Sequence, residues 1–201
     1  MSGGEPVCVR EAAEADLEAV AALRVRGWRY AYRRLMPREY LEGMDAAAYA
    51  ARRRADFAAT RETVTDLVAV DGGGRVTGWA ALGPCRGDGS GGGGVCGGVC
   101  GDGGDGEGCR DGELYALYVE PERIGSGLGR ALLADVVRRA EARRMRRLRL
   151  WVVEGNARAR RFYEAAGFAP DGVRSLFDAG GTPVAEVRYS RGLRGADLTA
   201  G

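Results

Sequence analysis

The feature that most constrains this chain is the stretch PERIGSGLGRALL at residues 121–133, where glycines alternate with other residues directly before a helical pattern. Glycine loses more conformational freedom on folding than any other residue, so several at one joint indicate a tight turn or a close backbone approach. The first N–H groups of a helix lack partners inside the helix and lie at the positive end of its dipole. Gly125, Gly127 and Gly129 would therefore let a pyrophosphate reach these N–H groups.

The spacing of the glycines excludes two common nucleotide motifs. A Walker-type phosphate loop places Lys and then Ser or Thr after its last glycine, whereas Arg130 and Ala131 follow Gly129 here. The dinucleotide fingerprint has the spacing G-x-G-x-x-G, whereas this turn has G-x-G-x-G. The spacing alone is also compatible with a tight turn that uses glycines and binds no ligand.

Hydrophobic periodicity and capping residues predict the elements on either side of this turn. Before it we expect a strand at residues 7–10, a helix capped by Asp16, a short helix from Pro37 to Leu41, a helix from the cap Asp45 to about Ala59, and a hairpin with strands at 63–70 and 75–82. Around and after it we expect a strand at 113–119, a helix at 127–144, a strand at 148–153, a helix from the cap Asn156 to the stop Gly167, and strands at about 173–178 and 183–191. This order predicts an α/β fold with a mixed central sheet and helices on both faces.

Residues 83–112 differ from the rest of the chain, because they hold 15 of its 34 glycines and almost no large apolar side chain. Such a segment cannot bury enough surface to offset the entropy of ordering, so we expect a flexible loop inserted into a single domain over residues 5–191, with a loose tail at 192–201. Four cysteines in this loop, Cys85, Cys96, Cys100 and Cys109, could hold zinc, but their irregular spacing favours reduced, solvent-exposed thiols, and we predict no metal site.

The bulk composition limits the classes of function. The formal net charge of +2 gives no case for nucleic-acid binding, and the absence of histidine leaves carboxylates, Tyr, Cys or water to transfer protons. The sequence shows neither a signal-peptide pattern nor an apolar run long enough to cross a bilayer, so we expect a cytoplasmic protein without membrane contact.

Two segments resemble the GCN5-related N-acetyltransferases, the GNAT family. The first is IGSGLG, Ile124 to Gly129, which is similar to the family pattern Gln/Arg-x-x-Gly-x-Gly/Ala between a strand and a helix, although Ile124 replaces the usual Gln or Arg. The second is NARARRFYEAAGF at residues 156–168, which resembles a later family motif of Asn, Tyr at the seventh position after it, and then Gly-Phe. The resemblance is firm over residues 113–168 and weaker over the N-terminal strand, helix and hairpin.

The resemblance implies a GNAT-like fold, acetyl-CoA as co-substrate, and direct transfer of the acetyl group to a primary amine. It places the cofactor against Leu117, Tyr118, Val119, Ile124, Gly125, Ser126, Gly127, Leu128, Gly129, Arg130, Asn156 and Tyr163. Main-chain N–H groups at residues 117–119 are the expected donors to the acetyl oxygen, because fixed dipoles aimed at developing charge are usually the largest catalytic contribution.

Two side chains are expected to move protons. The family often uses the tyrosine equivalent to Tyr163 to protonate the departing thiolate, and a phenol can donate such a hydrogen bond. Glu113 matches the position of the catalytic glutamate in some members and is the predicted general base. The simpler interpretations are a packed aromatic for Tyr163 and a solvated loop end for Glu113.

The segment WRYAYRRL, residues 28–35, alternates aromatics with arginines. This pattern is compatible with RNA stacking or with a solvated helix end, but in the family this region borders the acceptor site, so Trp28 and Tyr32 are predicted to bind the acceptor. Trp79 and Trp151 are expected in the core.

The sequence is compatible with either a small-molecule amine or a peptide amine as the acceptor. It is likewise compatible with either a monomer or a homodimer. A non-catalytic acyl-CoA-binding sensor is the alternative function, since it would keep the glycine turn but have no use for Tyr163 or Glu113.

Overall fold

The computed structural model describes residues 8–86 and 110–194. In chain order the strands and helices are β1 Cys8–Glu11, α1 Leu17–Tyr32, α2 Arg38–Glu42, α3 Ala46–Thr60, β2 Thr65–Val70, β3 Val76–Pro84, β4 Asp111–Val119, α4 Leu128–Ala142, β5 Arg147–Val153, α5 Ala157–Ala165, β6 Ala169–Asp178 and β7 Pro183–Gly192. The predicted order of elements is confirmed. One-turn 3₁₀ helices at Glu14–Asp16 and Pro121–Arg123 lead into α1 and into the glycine turn.

The seven strands form one mixed sheet in the order β1-β2-β3-β4-β5-β7-β6. Every neighbouring pair is antiparallel except β4 and β5, which are parallel. Their pairing is short: it runs from Asp111 opposite Arg147 to Glu113 opposite Arg149 and then stops, although β4 continues to Val119. The two central strands therefore diverge beyond Glu113 and open a gap in the middle of the sheet.

Helices cover both faces of the sheet, as predicted. The apolar stripe of α4, from Leu128 through Leu132 and Val136 to Ala140, packs in one core cluster with sheet residues such as Leu150. On the opposite face, Val20 and Leu23 of α1 pack with β2 and β3 residues including Trp79. Burial of these apolar stripes is the main driving force that fixes α1 and α4 on either side of the gap.

The helix caps agree with two of the three predictions. The Asp45 carboxylate accepts hydrogen bonds from the N–H groups of Ala47 and Ala48, and the Asn156 side chain accepts one from Ala159. The predicted cap Asp16 is wrong, because its side chain makes no cap hydrogen bond to α1. Arg10 donates to both Asp16 oxygens at 2.6 and 3.0 Å, and this charged hydrogen bond lowers the pKa of the carboxyl.

The strands that flank the glycine-rich segment extend further than predicted, since β3 continues through Pro84 and β4 begins at Asp111. The predicted loop itself and its cysteines Cys96, Cys100 and Cys109 lie outside the described residues, as does most of the predicted tail. Within the described part of the chain, no helix combines the length and apolar character needed to cross a membrane.

Candidate active site

The glycine turn has the geometry that its sequence predicts. After β4, the backbone of Gly125 and Gly127 adopts φ angles of 92° and 93°, a region that strains any residue with a Cβ atom. A Cβ placed on Gly125 would meet no atom within 4 Å, so this side of the turn is open. The first N–H to bond inside α4 is that of Ala131, which donates to the Gly127 carbonyl. The N–H groups just before it form the exposed positive end of the helix.

Ionic contacts to neighbouring elements hold the glycine turn in place. Arg123 donates to Asp71 in the β2–β3 hairpin at 3.3 Å, and the Asp71 carboxylate also accepts from backbone N–H groups of its own turn. Glu120 is buried and accepts from Arg26 of α1 and from Arg75 of the hairpin. The turn is thus tied to separate elements before any ligand binds.

The gap between β4 and β5 forms a cleft of about 770 Å³. It lies between the end of α1 on one side and the starts of α4 and α5 on the other. Of the predicted residues it is lined by Tyr32, Leu117, Tyr118, Val119, Ile124, Gly125, Gly127, Gly129, Arg130, Asn156 and Tyr163. The two sequence motifs, which are well separated in the chain, therefore open onto one cavity.

Four predicted site residues are not among those that line this cleft: Trp28, Glu113, Ser126 and Leu128. The N–H of Ser126 donates to the Arg123 carbonyl within the turn, so it is already used. The Leu128 side chain is 2% exposed and belongs to the core, which leaves only its backbone at the open end of α4.

Trp28 lies behind the cleft wall. Its indole N–H donates to the Tyr118 hydroxyl at 2.6 Å, and its ring makes an edge contact with Tyr32 at a centroid distance of 5.0 Å. Burial raises the pKa of Tyr118 to about 12, although nearby Arg24 opposes this. Trp28 therefore contacts the two tyrosines that line the cleft, Tyr32 and Tyr118, and does not itself line it.

Tyr163 is a buried phenol at the cleft wall. Phe162 and Phe168 contact its ring in edge-to-face geometry. Burial raises the pKa of Tyr163 far above that of a free phenol, with a smaller contribution from Tyr118. Within the described residues no group hydrogen-bonds the Tyr163 hydroxyl. It is a neutral donor at physiological pH.

Glu113 is buried, so the simpler interpretation of a solvated loop end is wrong. The residue is 2% exposed, and Arg86 donates to its carboxylate from the backbone N–H at 3.0 Å, from Nε at 3.0 Å and from Nη2 at 2.5 Å. The guanidinium of Arg86 lies 4.0 Å above the Tyr115 ring, which lines the cleft. Glu113 thus holds Arg86 at the edge of the site.

One residue of the cleft lining and one half-buried carboxyl near it were not predicted from the sequence. Trp151 lines the cleft from β5 instead of lying in the core. Glu186, half-buried on β7, has its pKa raised to about 7 by burial, with a further contribution from the Glu113 charge and opposition from Arg86. The sequence did contain a signal for Glu186. It lies two residues after Val184 in the strand, so it shares the face of that apolar side chain.

The cleft has a basic rim. Arg33, Arg34, Arg130 and Arg158 line it near the ends of α1, α4 and α5. Arg158 donates to the Tyr30 hydroxyl at 3.2 Å, and Arg33 lies 5.5 Å from the centre of the same ring. This contact joins α1 to α5 across the mouth and places positive charge where an anionic ligand would enter.

Comparison with known proteins agrees with this geometry. The sequence matches the model of the acetyltransferase (GNAT) family over residues 19–168. It is 31% identical over 195 residues to the uncharacterized N-acetyltransferase YuaI of Bacillus subtilis, and the alignment covers 96% of this chain and 95% of YuaI. A shorter match, 45% identical over 71 residues, joins 35% of this chain to 22% of a mycothiol acetyltransferase of Acidothermus cellulolyticus.

Solved structures show the same fold. The PaiA N-acetyltransferase of Thermoplasma acidophilum in complex with coenzyme A has a TM-score of 0.67 at 17% identity, over 93% of this chain and 99% of that one. A GNAT superfamily phosphinothricin acetyltransferase of Sinorhizobium meliloti in complex with acetyl-CoA has a TM-score of 0.65 at 21% identity, over 94% of this chain and 90% of that one. Because the family model spans both motifs and the central strands, and YuaI aligns along nearly the whole chain, this protein belongs to the acetyltransferase (GNAT) family and is an N-acetyltransferase.

Proposed function

We propose that this enzyme moves an acetyl group from acetyl-CoA to a primary amine by direct attack, without an acyl-enzyme. One observation carries the proposal: the open turn at Gly125 and Gly127 and the buried phenol of Tyr163 line the same cleft, along the unpaired edge of β4. Phosphate binding, carbonyl polarisation and proton donation are thereby available within one cavity.

The residues of the turn fit the pyrophosphate of coenzyme A. Positive φ angles at Gly125 and Gly127 turn the backbone toward the open side, and the N–H groups at the start of α4 precede the first intrahelical bond. The backbone donors do not depend on the side chain at position 124, so Ile124 in place of Gln or Arg is compatible with binding. Two similar structures are named as complexes with coenzyme A or acetyl-CoA, which supports this choice of co-substrate.

The unpaired edge of β4 supports activation of the acetyl carbonyl. Beyond Glu113, alternate backbone groups of β4 have no β5 partner, and Leu117, Tyr118 and Val119 line the cleft there. Backbone N–H groups at this edge would bond the acetyl oxygen as charge develops on it. The pantetheine arm would lie along the same edge.

Tyr163 is proposed as the group that protonates the departing thiolate. Its raised pKa keeps the phenol protonated at working pH, and its hydroxyl has no competing partner among the described residues. Asn156 caps the same helix about two turns before Tyr163. Asn156 also lines the cleft. Both motif residues can thus contact the cofactor while keeping their structural roles.

The acceptor is a small-molecule or peptide amine. Relatives of both kinds occur: one match is named for mycothiol, a structural neighbour for phosphinothricin, and others for the alanine of a ribosomal protein. The experiment measures free-thiol release from acetyl-CoA with phosphinothricin, an alanine-terminated peptide, and simple alkyl and aryl amines. Amine-dependent thiol release with formation of the amide supports the proposal.

The alternative, a non-catalytic acyl-CoA sensor, predicts a different result from the same experiment. Such a protein would bind coenzyme A in calorimetry but release no thiol with any amine. The enzyme hypothesis further predicts that Tyr163→Phe lowers turnover while acetyl-CoA affinity is kept. Binding without turnover across the panel would favour the sensor.

A further inference from the structure

We propose that Glu186, and not Glu113, accepts the proton of the acceptor amine, and that the amine enters from the α1 face of the sheet. This inference rests on the proposed function, because it names the base for that same transfer. It assigns a residue of the last strand, outside both sequence motifs, to the chemistry.

The register of the sheet places Glu186 next to the cleft. β7 lies between β5 and β6, and Glu186 is opposite Val153, two residues before Gly155 of the cleft lining. Val187 belongs to the core cluster under α4, whereas Val184 belongs to the cluster that contains Trp28 of α1. Because strand side chains alternate, Glu186 shares the face of Val184 and projects toward α1.

Several charged and titratable groups face Glu186 from the elements around it. Arg86, which follows β3, and Glu113 of β4 act on it electrostatically, and so do the phenols of Tyr32 on α1 and Tyr118 on β4. On its own strand, Arg188 lies on the same face and pairs with Asp171 of β6 at 2.8 Å. No charged side chain of the described residues forms an ion pair with Glu186 itself.

The two carboxylates therefore differ in how readily they can accept a proton. Glu113 already accepts three hydrogen bonds from Arg86 and is almost fully buried, so taking a proton would break a charged pair. Among the described residues no group hydrogen-bonds the Glu186 carboxylate, and its pKa of about 7 suits a general base at neutral pH. Glu113 then tunes Glu186 by its charge and by fixing Arg86.

The transfer balances in protons and electrons. The ammonium form of the acceptor gives one proton to the Glu186 carboxylate, which later releases it to solvent. The neutral nitrogen forms a C–N bond with the acetyl carbon, and the C–S bond then breaks. The thiolate takes a proton from Tyr163, and the second nitrogen proton restores the phenol. The products are the amide, free coenzyme A and one proton.

The first test compares pH–rate profiles of the wild-type enzyme, Glu186→Gln, Glu113→Gln and the surface control Glu18→Gln, using acetyl-CoA and the best acceptor from the amine panel. The proposal predicts that kcat/KM of the wild type rises with pH through about 7. We call this rise the ascending limb. Glu186→Gln should lose the limb, and its kcat/KM should fall on the order of 100-fold with acetyl-CoA affinity unchanged. Glu113→Gln should keep the limb but shift it to lower pH, because one negative charge near Glu186 is removed.

The outcomes separate the two carboxylates. A Glu186→Gln enzyme with the normal rate and limb overturns the proposal, and so does loss of the limb in Glu113→Gln alone. A wild type that releases no thiol with any amine overturns the proposed function itself, and is thereby distinguished from an error about Glu186. Glu18→Gln should match the wild type throughout.

A second measurement does not depend on whether any variant folds. In ¹³C NMR of wild-type protein with labelled glutamate carboxyls, one resonance should titrate near pH 7, well above an ordinary glutamate. Titration of every glutamate below about pH 5 would contradict the assignment.

Discussion

The indole of Trp28 donates a 2.6 Å hydrogen bond to the hydroxyl of Tyr118, joining α1 to β4 at the point where β4 has lost its β5 partner. A strand edge that pairs with nothing would otherwise be free to close or shift. The contact, together with the offset stacking of Tyr118 on Trp79 at 5.8 Å, holds the cleft wall from behind. The cleft is therefore preorganised by aromatic packing outside the cavity.

Replacing Trp28 with Phe should destabilise the protein by about 1–3 kcal/mol, because the Tyr118 hydroxyl loses its donor and a buried ring becomes smaller. Urea unfolding checks the value. Tyr30→Phe removes the exposed hydrogen bond to Arg158 and should change stability by less than about 0.5 kcal/mol. Equal effects of the two substitutions would show that the Trp28 contact does not hold the wall.

Gly127→Ala should weaken acetyl-CoA binding about 10-fold. The φ angle of 93° is unfavourable for alanine by roughly 1–2 kcal/mol, so the turn would relax and its N–H groups would point elsewhere. Calorimetry with acetyl-CoA measures the change. Gly192→Ala is the matched control, because that glycine has no positive φ and a Cβ added to it would meet no atom within 4 Å. Unchanged affinity in Gly127→Ala would remove the turn from the binding site.

Tyr163→Phe should lower kcat on the order of 100-fold and leave acetyl-CoA affinity nearly unchanged, because it deletes a proton donor and keeps the packed ring. Steady-state thiol release and calorimetry measure the two quantities. Tyr49→Phe on α3, which does not line the cleft, should retain wild-type turnover. Full activity of the Tyr163 variant would leave only a packing role.

The raised pKa of Glu186 predicts a pH-dependent stability. Burial favours the protonated form in the folded state, so this contribution is fully present below the ordinary pKa of 4.5 and is lost as pH rises through about 7. At pH 8 the Glu186→Gln protein should be more stable than wild type by roughly 1–3 kcal/mol, and at pH 4 nearly equal. Urea unfolding at the two pH values checks this, with Glu18→Gln expected to show no such difference. Equal stabilities at pH 8 would contradict the burial of that carboxyl.

Much of the fold follows from local sequence patterns. The helix from Asn156 to the positive-φ Gly167 has its predicted cap and stop, because both depend on residues within one turn. The predicted cap Asp16 failed because Arg10, six residues earlier, forms a stronger charged contact with it. Local propensity is decisive only where no such tertiary partner competes.

The site was predictable where its residues lie in the two motifs and not where the sheet topology brings in others. Glu186 lies opposite Val153 of β5 because β7 inserts between β5 and β6, and this order cannot be read from chain order. Glu113 does not line the cleft for a related reason: Nε and Nη2 of Arg86 both donate to its Oε1, and this contact depends on the register of β3 and β4. Strand neighbours, not spacing, determine which carboxylate stays free.

The central claim is that backbone N–H groups of the glycine turn hold the pyrophosphate of coenzyme A. Backbone ¹⁵N NMR during titration with coenzyme A tests it most directly. We expect saturable shifts that are largest at Gly125, Gly127 and Gly129. Saturation with the main shifts elsewhere on the protein, or no saturation at millimolar coenzyme A, would contradict it.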